Sequence, residues 1–432
     1  MNNDLLTLAP LITVVVGAIA VLVSDMITPN RNHAPVAVAL AALGITAALL
    51  ISQGGSTGSA LGGSYVAGPF VAFVGLLGIS IVAITLLIAP AYLAARKYPT
   101  AELSATLLFA LAGAILLGAA TDLVTLFIGL ELMVIPGYVL AGYAKRDPLS
   151  TEGAVKYFLL GSFSSAILLF GIVVLWGVAG TASLSGIATA LASGEASAGL
   201  AVSLALITTG SAFKIAAVPF HYWTPDAYQG SPTPITGYLS VGPKVGAFVL
   251  LIKLFVIALA PLAALWIPVM VVLAAATMTL GNLVALTQSN VKRMLAYSSI
   301  AHAGFLLAGV IALSKSGLDA TIFYLFAYGI ATVGAFGVVT LVRDSSGEVT
   351  DLNRWSGLGK RSPLVASVFA FFLLAFAGIP LTSGFIGKFS IFSSAYESGS
   401  TWILISGVLS SAIAAFFYIR VIVLMFFKDP VE

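Results

Sequence analysis

Cysteine is absent from the 432-residue chain, which excludes disulfides, iron–sulfur clusters and thiolate zinc sites together. Histidine is scarce: His33, His221 and His302 are the whole complement. No two of them are spaced as ligands on adjacent helical turns would be, so no cofactor, haem or metal is expected in this chain. Charge is the most telling shortage. Only 8% of residues are Asp, Glu, Lys or Arg, against 60% apolar, whereas a soluble domain carries roughly 25% charge. So few charges cannot coat a water-soluble body of this size. The apolar runs are continuous rather than alternating, which selects helices over a barrel. The expected fold class is therefore all-α, a polytopic transmembrane helical bundle in a lipid bilayer. A formal net charge of +3 gathers into no basic stripe, so nucleic acid is excluded as a partner. No basic stretch precedes Leu5, and 5–23 is expected to be a retained span rather than a cleaved signal.

A hydrocarbon core of about 30 Å needs about 20 helical residues. Apolar runs between polar breaks give thirteen spans, near 5–23, 35–51, 68–95, 103–119, 121–143, 154–179, 200–219, 234–258, 262–286, 294–313, 318–342, 363–396 and 401–427. The Gly/Ser-rich breaks at 52–64 and 181–199 read as flexible surface loops. The longest polar break is 343–361.

With the N-terminus outside, thirteen of the nineteen basic residues fall on inner loops and helix ends, among them Arg31, Arg96, Lys145, Arg293 and Arg361. Two, Lys253 and Lys315, fall outside, and Lys214, Lys244, Lys388 and Arg420 lie within spans. That asymmetry is a strong positive-inside signal. The chain also repeats. A shift of 167 residues lays Tyr138-Val-Leu-Ala-Gly142 on Phe305-Leu-Leu-Ala-Gly309 and Tyr157 on Tyr324. It maps the fifth span on the tenth, an odd displacement that reverses direction, as an inverted-topology repeat requires.

Ionisable groups at membrane depth are costly and by default mark a transport path. The competing explanation is snorkelling of a long side chain to the headgroups. Glu131 is flanked on both sides by five or more apolar residues in Thr125-Leu-Phe-Ile-Gly-Leu-Glu-Leu-Met-Val-Ile-Pro136, and a carboxylate is too short to snorkel. Lys214 lies five residues before Pro219, which removes a backbone donor and favours a broken helix lining a hydrated cavity; a structural ion pair is the alternative. Lys244 follows Pro243 about ten residues into its span. Lys388 ends a second Pro/Gly-interrupted stretch, as the matching half of a repeat transporter would have. His302 suits a relay or equally a structural hydrogen bond. His221, Lys156 and Lys292 lie near span ends, where an interfacial role competes with a relay. Arg420 reads as snorkelling, and Tyr222 and Trp223 as belt anchors. Several single sites that each hold or lack a proton suit H⁺. A Na⁺ site would want more carboxylates or carbonyls.

The run Val218-Pro-Phe-His-Tyr-Trp-Thr-Pro-Asp-Ala-Tyr-Gln-Gly-Ser-Pro-Thr-Pro234, continuing to Leu239-Ser-Val-Gly-Pro-Lys244, closely resembles the antiporter-like subunit N family of respiratory complex I. So do Phe127-Ile-Gly-Leu-Glu131, Asn290-Val-Lys-Arg-Met-Leu-Ala-Tyr-Ser-Ser299 and Gly378-Ile-Pro-Leu-Thr-Ser-Gly-Phe-Ile-Gly-Lys-Phe389. The resemblance covers about residues 120–425. It implies a proton-translocating subunit of an NADH:quinone oxidoreductase, coupled to electron transfer elsewhere in the complex, with no redox centre in this chain. It also implies two inverted five-helix repeats with discontinuous helices near Pro219 and Pro380. The family's key acid then matches Glu131, its paired lysine Lys214, its central lysine Lys244 and its exit-side lysine Lys388. The expected division is 1–100 for the N-terminal helices, 101–260 for the first repeat and 261–432 for the second. Other complex I membrane subunits are the implied partners, including other antiporter-like subunits, and the bacterial inner membrane the implied location. The family's final, fourteenth helix has no counterpart among the thirteen spans, so the natural chain is expected to continue past Glu432 or to lack a span. The other readings are an Mrp-like cation/proton antiporter subunit and a scaffold that no longer pumps; the set of buried charges argues against the scaffold.

Overall fold

The computed structural model describes residues 2–28, 33–55, 57–192, 197–345 and 347–430. Arg31, counted above among the inner basic residues, lies outside them. The described residues form a helical bundle with two short hairpins. In order they are α1 (Asn2–Ile27), α2 (His33–Gln53), the hairpin β1 (Ser59–Ala60) and β2 (Tyr65–Val66), α3 (Pro69–Ala94), α4 (Ala101–Ala119), α5 (Leu123–Ala141), α6 (Pro148–Ala179), α7 (Leu184–Ala192), α8 (Ala198–Lys214), α9 (Trp223–Gly230) and α10 (Thr233–Leu251). There follow α11 (Ala263–Leu286), α12 (Val291–Ile311), α13 (Lys315–Val339), the hairpin β3 (Arg343–Asp344) and β4 (Gly347–Glu348), α14 (Leu358–Arg361), α15 (Pro363–Ala377), α16 (Ser383–Glu397) and α17 (Thr401–Phe427). Eleven helical stretches among them are long and apolar enough to cross a membrane.

The two spans expected to be broken are broken. The seventh, expected over 200–219, ends its helix α8 at Lys214 and runs on irregularly until α9 starts at Trp223, beyond the expected span; the twelfth is α15 and α16 parted at Gly378. Pro219 and Pro380 sit in the gaps because neither can donate the helical hydrogen bond. The segment 181–199, expected to be loop, contains α7. Its Leu184, Ile187 and Leu191 are buried, an amphipathic spacing that overrides a Gly/Ser-rich composition. After Leu251, α10 widens into π-helical turns over Ile252–Ala258.

The chain divides into two compact units. The first comprises 1–146, 158–214 and 242–263; the second comprises 147–157, 215–241 and 264–432. Within the first, α6 and α8 approach closely at glycines. A Cβ on Gly171 would meet the backbone nitrogen of Ile207 at 2.9 Å, and one on Gly210 would meet Cβ of Leu168 at 2.6 Å. The Ser203 hydroxyl donates to the Gly171 carbonyl (2.9 Å) and that of Ser164 to the Gly210 carbonyl (3.2 Å). Small residues and interhelical hydroxyl bonds are how helices associate in lipid. Within the second unit, α12 is buried along nearly its whole length and packs against α9, α13 and α16.

One helix in each unit opens in a similar way. Asp122 caps α5 by accepting from the backbone amides of Val124 and Thr125, both at 2.9 Å. Asn290 caps α12 by accepting from those of Lys292 and Arg293, at 2.9 and 3.2 Å. Each cap residue also forms an isolated antiparallel bridge, Asp122 with Ser183 and Asn290 with Asp351.

Candidate functional site

In the first unit, Glu131 and Tyr138 lie two turns apart on α5 and so share a face. Their partners come from the α6 and α8 pair held together by glycines. Lys214 is the last residue of α8, which ends where Ala216 takes a left-handed conformation (φ +59°). The side chain reaches away from the helix end to polar groups on α5 and α6. It donates to Ser165 Oγ at 2.6 Å and lies 3.4 Å from both Glu131 Oε1 and Tyr138 Oη. Ser165 in turn donates to Glu131 Oε1 at 2.6 Å. The hydroxyl therefore bridges cation and carboxylate and provides a continuous hydrogen-bonded path between them. The side chains are 3% and 18% exposed for Lys214 and Glu131 respectively, so the pair is screened little by water.

Lys244 is buried on α10 directly after Pro243. Lys253, which the charge census puts on the outer side, is buried in the π-helical turns. Its ammonium donates to the carbonyl of Ala120, the residue that terminates α4.

In the second unit, Lys388 on α16 donates to the carbonyls of Phe376 (2.8 Å) and Ala377 (3.3 Å), at the end of α15. Its Nζ lies 4.6 Å from the centre of the Phe305 ring, within cation–π range. Gly378 turns the chain here with φ +79°, and a Cβ on it would meet Lys388 Cδ at 3.0 Å. His302 on α12 bonds Tyr324 Oη through Nδ1 (2.6 Å) and Tyr418 Oη through Nε2 (3.3 Å). Its ring also packs against Phe305 and Phe376, so His302 and Lys388 share two aromatic neighbours.

The three span-end candidates separate. Lys292 is buried, with its ammonium on the Ser231 carbonyl at 2.6 Å. His221 is buried between α8 and α9, its ring stacked on Tyr222. Lys156 instead joins a polar cluster in which the Asp226 carboxylate accepts from Lys156 (2.6 Å) and Arg293 (2.8 Å), and Arg293 also reaches Gln229. Two expectations are corrected. Arg420 does not reach for headgroups, because its guanidinium donates to the carbonyls of Leu286 and Gln288. Trp223 is not an interfacial anchor, because it is buried and stacked on Tyr157 at 4.2 Å. Ser165, Asp226 and Lys253 are absent from the sequence-derived set. The run Gly161-Ser-Phe-Ser-Ser165, small and polar within an apolar helix, is the one available signal for Ser165. Among the described residues no group of three or more His, Asp or Glu side chains could hold a metal ion.

The family model for NADH:quinone oxidoreductase/Mrp antiporter, TM, matches residues 120–414. The chain is 58% identical over 325 residues to NADH-quinone oxidoreductase subunit N of Rhodococcus opacus, covering 75% of this chain and 60% of that one. It is 56% identical over 346 residues to subunit N 3 of Streptomyces griseus, covering 77% and 62%. It thus spans about three-fifths of the length of these relatives. Among solved structures, it resembles a chain of respiratory complex I from Thermus thermophilus with bound aureothin. That match has a TM-score of 0.83 and 30% identity, and it covers 98% of this chain and 91% of the other.

Proposed function

Because the chain belongs to the NADH:quinone oxidoreductase/Mrp antiporter transmembrane family, on its subunit N side, we propose that it is a proton-translocating membrane subunit of an NADH:quinone oxidoreductase. The observation that carries the proposal is the buried pair of Glu131 and Lys214, bridged by Ser165 at the end of a broken helix. A buried ion pair is weak evidence for stability, since desolvation offsets its attraction; intramembrane charges are retained for transport. While the carboxylate stays close, Lys214 holds its proton. When the pair opens, the proton leaves along hydrogen-bonded groups to Lys244, and from there to Lys388 with His302 as a further carrier. Lys292, His221 and Lys156 are secondary candidates. Electron transfer would occur in partner subunits, and the remaining membrane subunits of the complex, other antiporter-like ones included, would flank this chain.

The proposed organisation is 1–100 for the leading helices, 101–260 for the first repeat and 261–432 for the second. The chain would lie in a bacterial inner membrane with its N-terminus outside, the orientation that puts most basic residues within. The test is K244M in the whole complex reconstituted into proteoliposomes. NADH-driven proton transfer is expected to drop while electron transfer to quinone persists at a reduced rate. Unchanged proton stoichiometry in that variant would refute the relay.

A further inference from the structure

Among the described residues, Lys253 is the buried lysine that the proposed relay leaves unused. The charge census sets it on the outer side, where only Lys315 joins it, although basic residues otherwise concentrate within. A cation kept at membrane depth on the disfavoured side calls for a function. Its ammonium donates to the carbonyl of Ala120, where α4 ends, and lies 5.8 Å from the centre of the Phe70 ring at the start of α3. A carbonyl and an aromatic face both attract a cation, and neither can take up a proton. Among the described residues no carboxylate pairs with Lys253. Asp122, two residues past the acceptor, uses both oxygens on Val124 and Thr125 in the cap of α5. The setting suits a fixed charge rather than a carrier.

The acceptor is itself held firmly. Thr121 donates its amide to the Ser64 carbonyl (3.2 Å) and its hydroxyl to the Gly63 carbonyl (2.7 Å), which ties the end of α4 to the β1–β2 hairpin. On the other side, the Leu123 amide donates to the Ala182 carbonyl and the Leu184 amide to the Thr121 carbonyl, both at 2.9 Å. There α7 begins, and it packs on the π-helical turns that carry Lys253. The charge therefore lies beneath this knot of backbone, at the end of the first unit. Lys244 stands nine residues back on the same helix, about 13 Å along its axis.

We propose that Lys253 is a fixed positive charge that bars protons from reaching Lys244 and the Glu131–Lys214 pair from this end of the first unit. The proposal rests on the relay described above, which needs a seal if a released proton is not to run back. A positive side chain facing a narrow hydrated passage excludes cations in this way. At an effective dielectric constant of about 20, a unit charge ~13 Å away lowers proton arrival at Lys244 about eightfold.

The test is passive proton entry into proteoliposomes holding the whole complex, without NADH and under an imposed diffusion potential, with chloride entry measured alongside. K253Q keeps an N–H group but loses the charge, and its proton leak is expected to rise about eightfold with chloride entry unchanged. K253R keeps the charge and is expected to leak no more than wild type. Should K253Q fail to assemble, K253M, of similar length and apolar, carries the same prediction. A loosened fold would admit chloride as well as protons, so a parallel rise in both would overturn the barrier. A wild-type leak in the neutral variant, or an equal leak in K253R, would also overturn it. The relay itself is judged by NADH-driven pumping in K244M; loss of pumping there, with a wild-type leak in K253Q, would refute the barrier alone.

Discussion

Replacing Ser165 with alanine isolates the hydroxyl that joins Lys214 to Glu131. The wild-type bridge consists of two short contacts, 2.6 Å on each side. Bonds of this charge-assisted kind contribute about 1.5–3 kcal/mol each, so S165A removes about 3–6 kcal/mol of interaction. The ion pair can respond by closing from 3.4 Å toward the usual contact distance near 2.8 Å. At an effective dielectric constant of about 20, that closure returns only ~1 kcal/mol. A net loss of about 2–5 kcal/mol remains, and its lower end corresponds to about 30-fold in rate if proton release passes through this pair. The assay is NADH-driven acidification of proteoliposomes containing the whole complex, read against quinone reduction. S165T keeps a hydroxyl and is expected to restore most of the transfer. A merely structural role would lower the thermal midpoint of S165A and leave proton stoichiometry intact. Wild-type stoichiometry in S165A would therefore refute the bridge as a proton carrier.

Three further outcomes follow from the packing and capping. D122A removes the cap of α5 and is expected to cost about 1 kcal/mol. Burial raises the Asp122 carboxyl, but hydrogen bonds from Thr125, Ser64 and Val124 outweigh it and hold the group below its ordinary 3.8. The cap's contribution is therefore full above the unfolded value and disappears as pH falls through the folded one; thermal midpoints of wild type and D122A are expected to converge in acid. G384A places a Cβ 1.8 Å from the Ala375 carbonyl oxygen, a backbone clash expected to cost about 3 kcal/mol or more. G246A meets the flexible end of Met133 at 2.0 Å and is expected to cost about 1 kcal/mol, because a methionine re-packs readily; comparable denaturation of the two would contradict this. D226N weakens the clamp of Lys156 and Arg293 on α9, and its thermal midpoint is expected to fall by a few degrees without loss of proton transfer.

Much of this was legible in the residues. Apolar run length marks the spans because the bilayer imposes it, and Pro219 and Pro380 mark the breaks because they lack a donor. Glu131 and Lys214 stand out because charge within an apolar run has few explanations. Residues whose role depends on a distant partner left no such mark. Lys253 finds its acceptor 133 positions away at Ala120, and Arg420 finds its acceptors more than 130 positions back at Leu286 and Gln288. Trp223 could stack on Tyr157 only once the break after Lys214 had redirected the chain. Ser165 was hidden for a different reason. A hydroxyl in an apolar helix ordinarily bonds its own backbone, and the small polar run Gly161-Ser-Phe-Ser-Ser165 does not say which of its hydroxyls departs from that habit.

The two broken spans hold their lysines by different kinds of acceptor. Lys214 answers to a carboxylate, a group that can itself take up a proton. Lys388 answers to the carbonyls of Phe376 and Ala377, which do not titrate. No change of pH or of a neighbour's protonation can switch off a peptide carbonyl; only displacement can. The grip on Lys388 lasts only while α15 stops at Ala377, since a straightened helix would claim those carbonyls for its own ladder. The partner of one lysine is thus governed by chemistry and that of the other by mechanics, and a shift of α16 against α15 would act on the second.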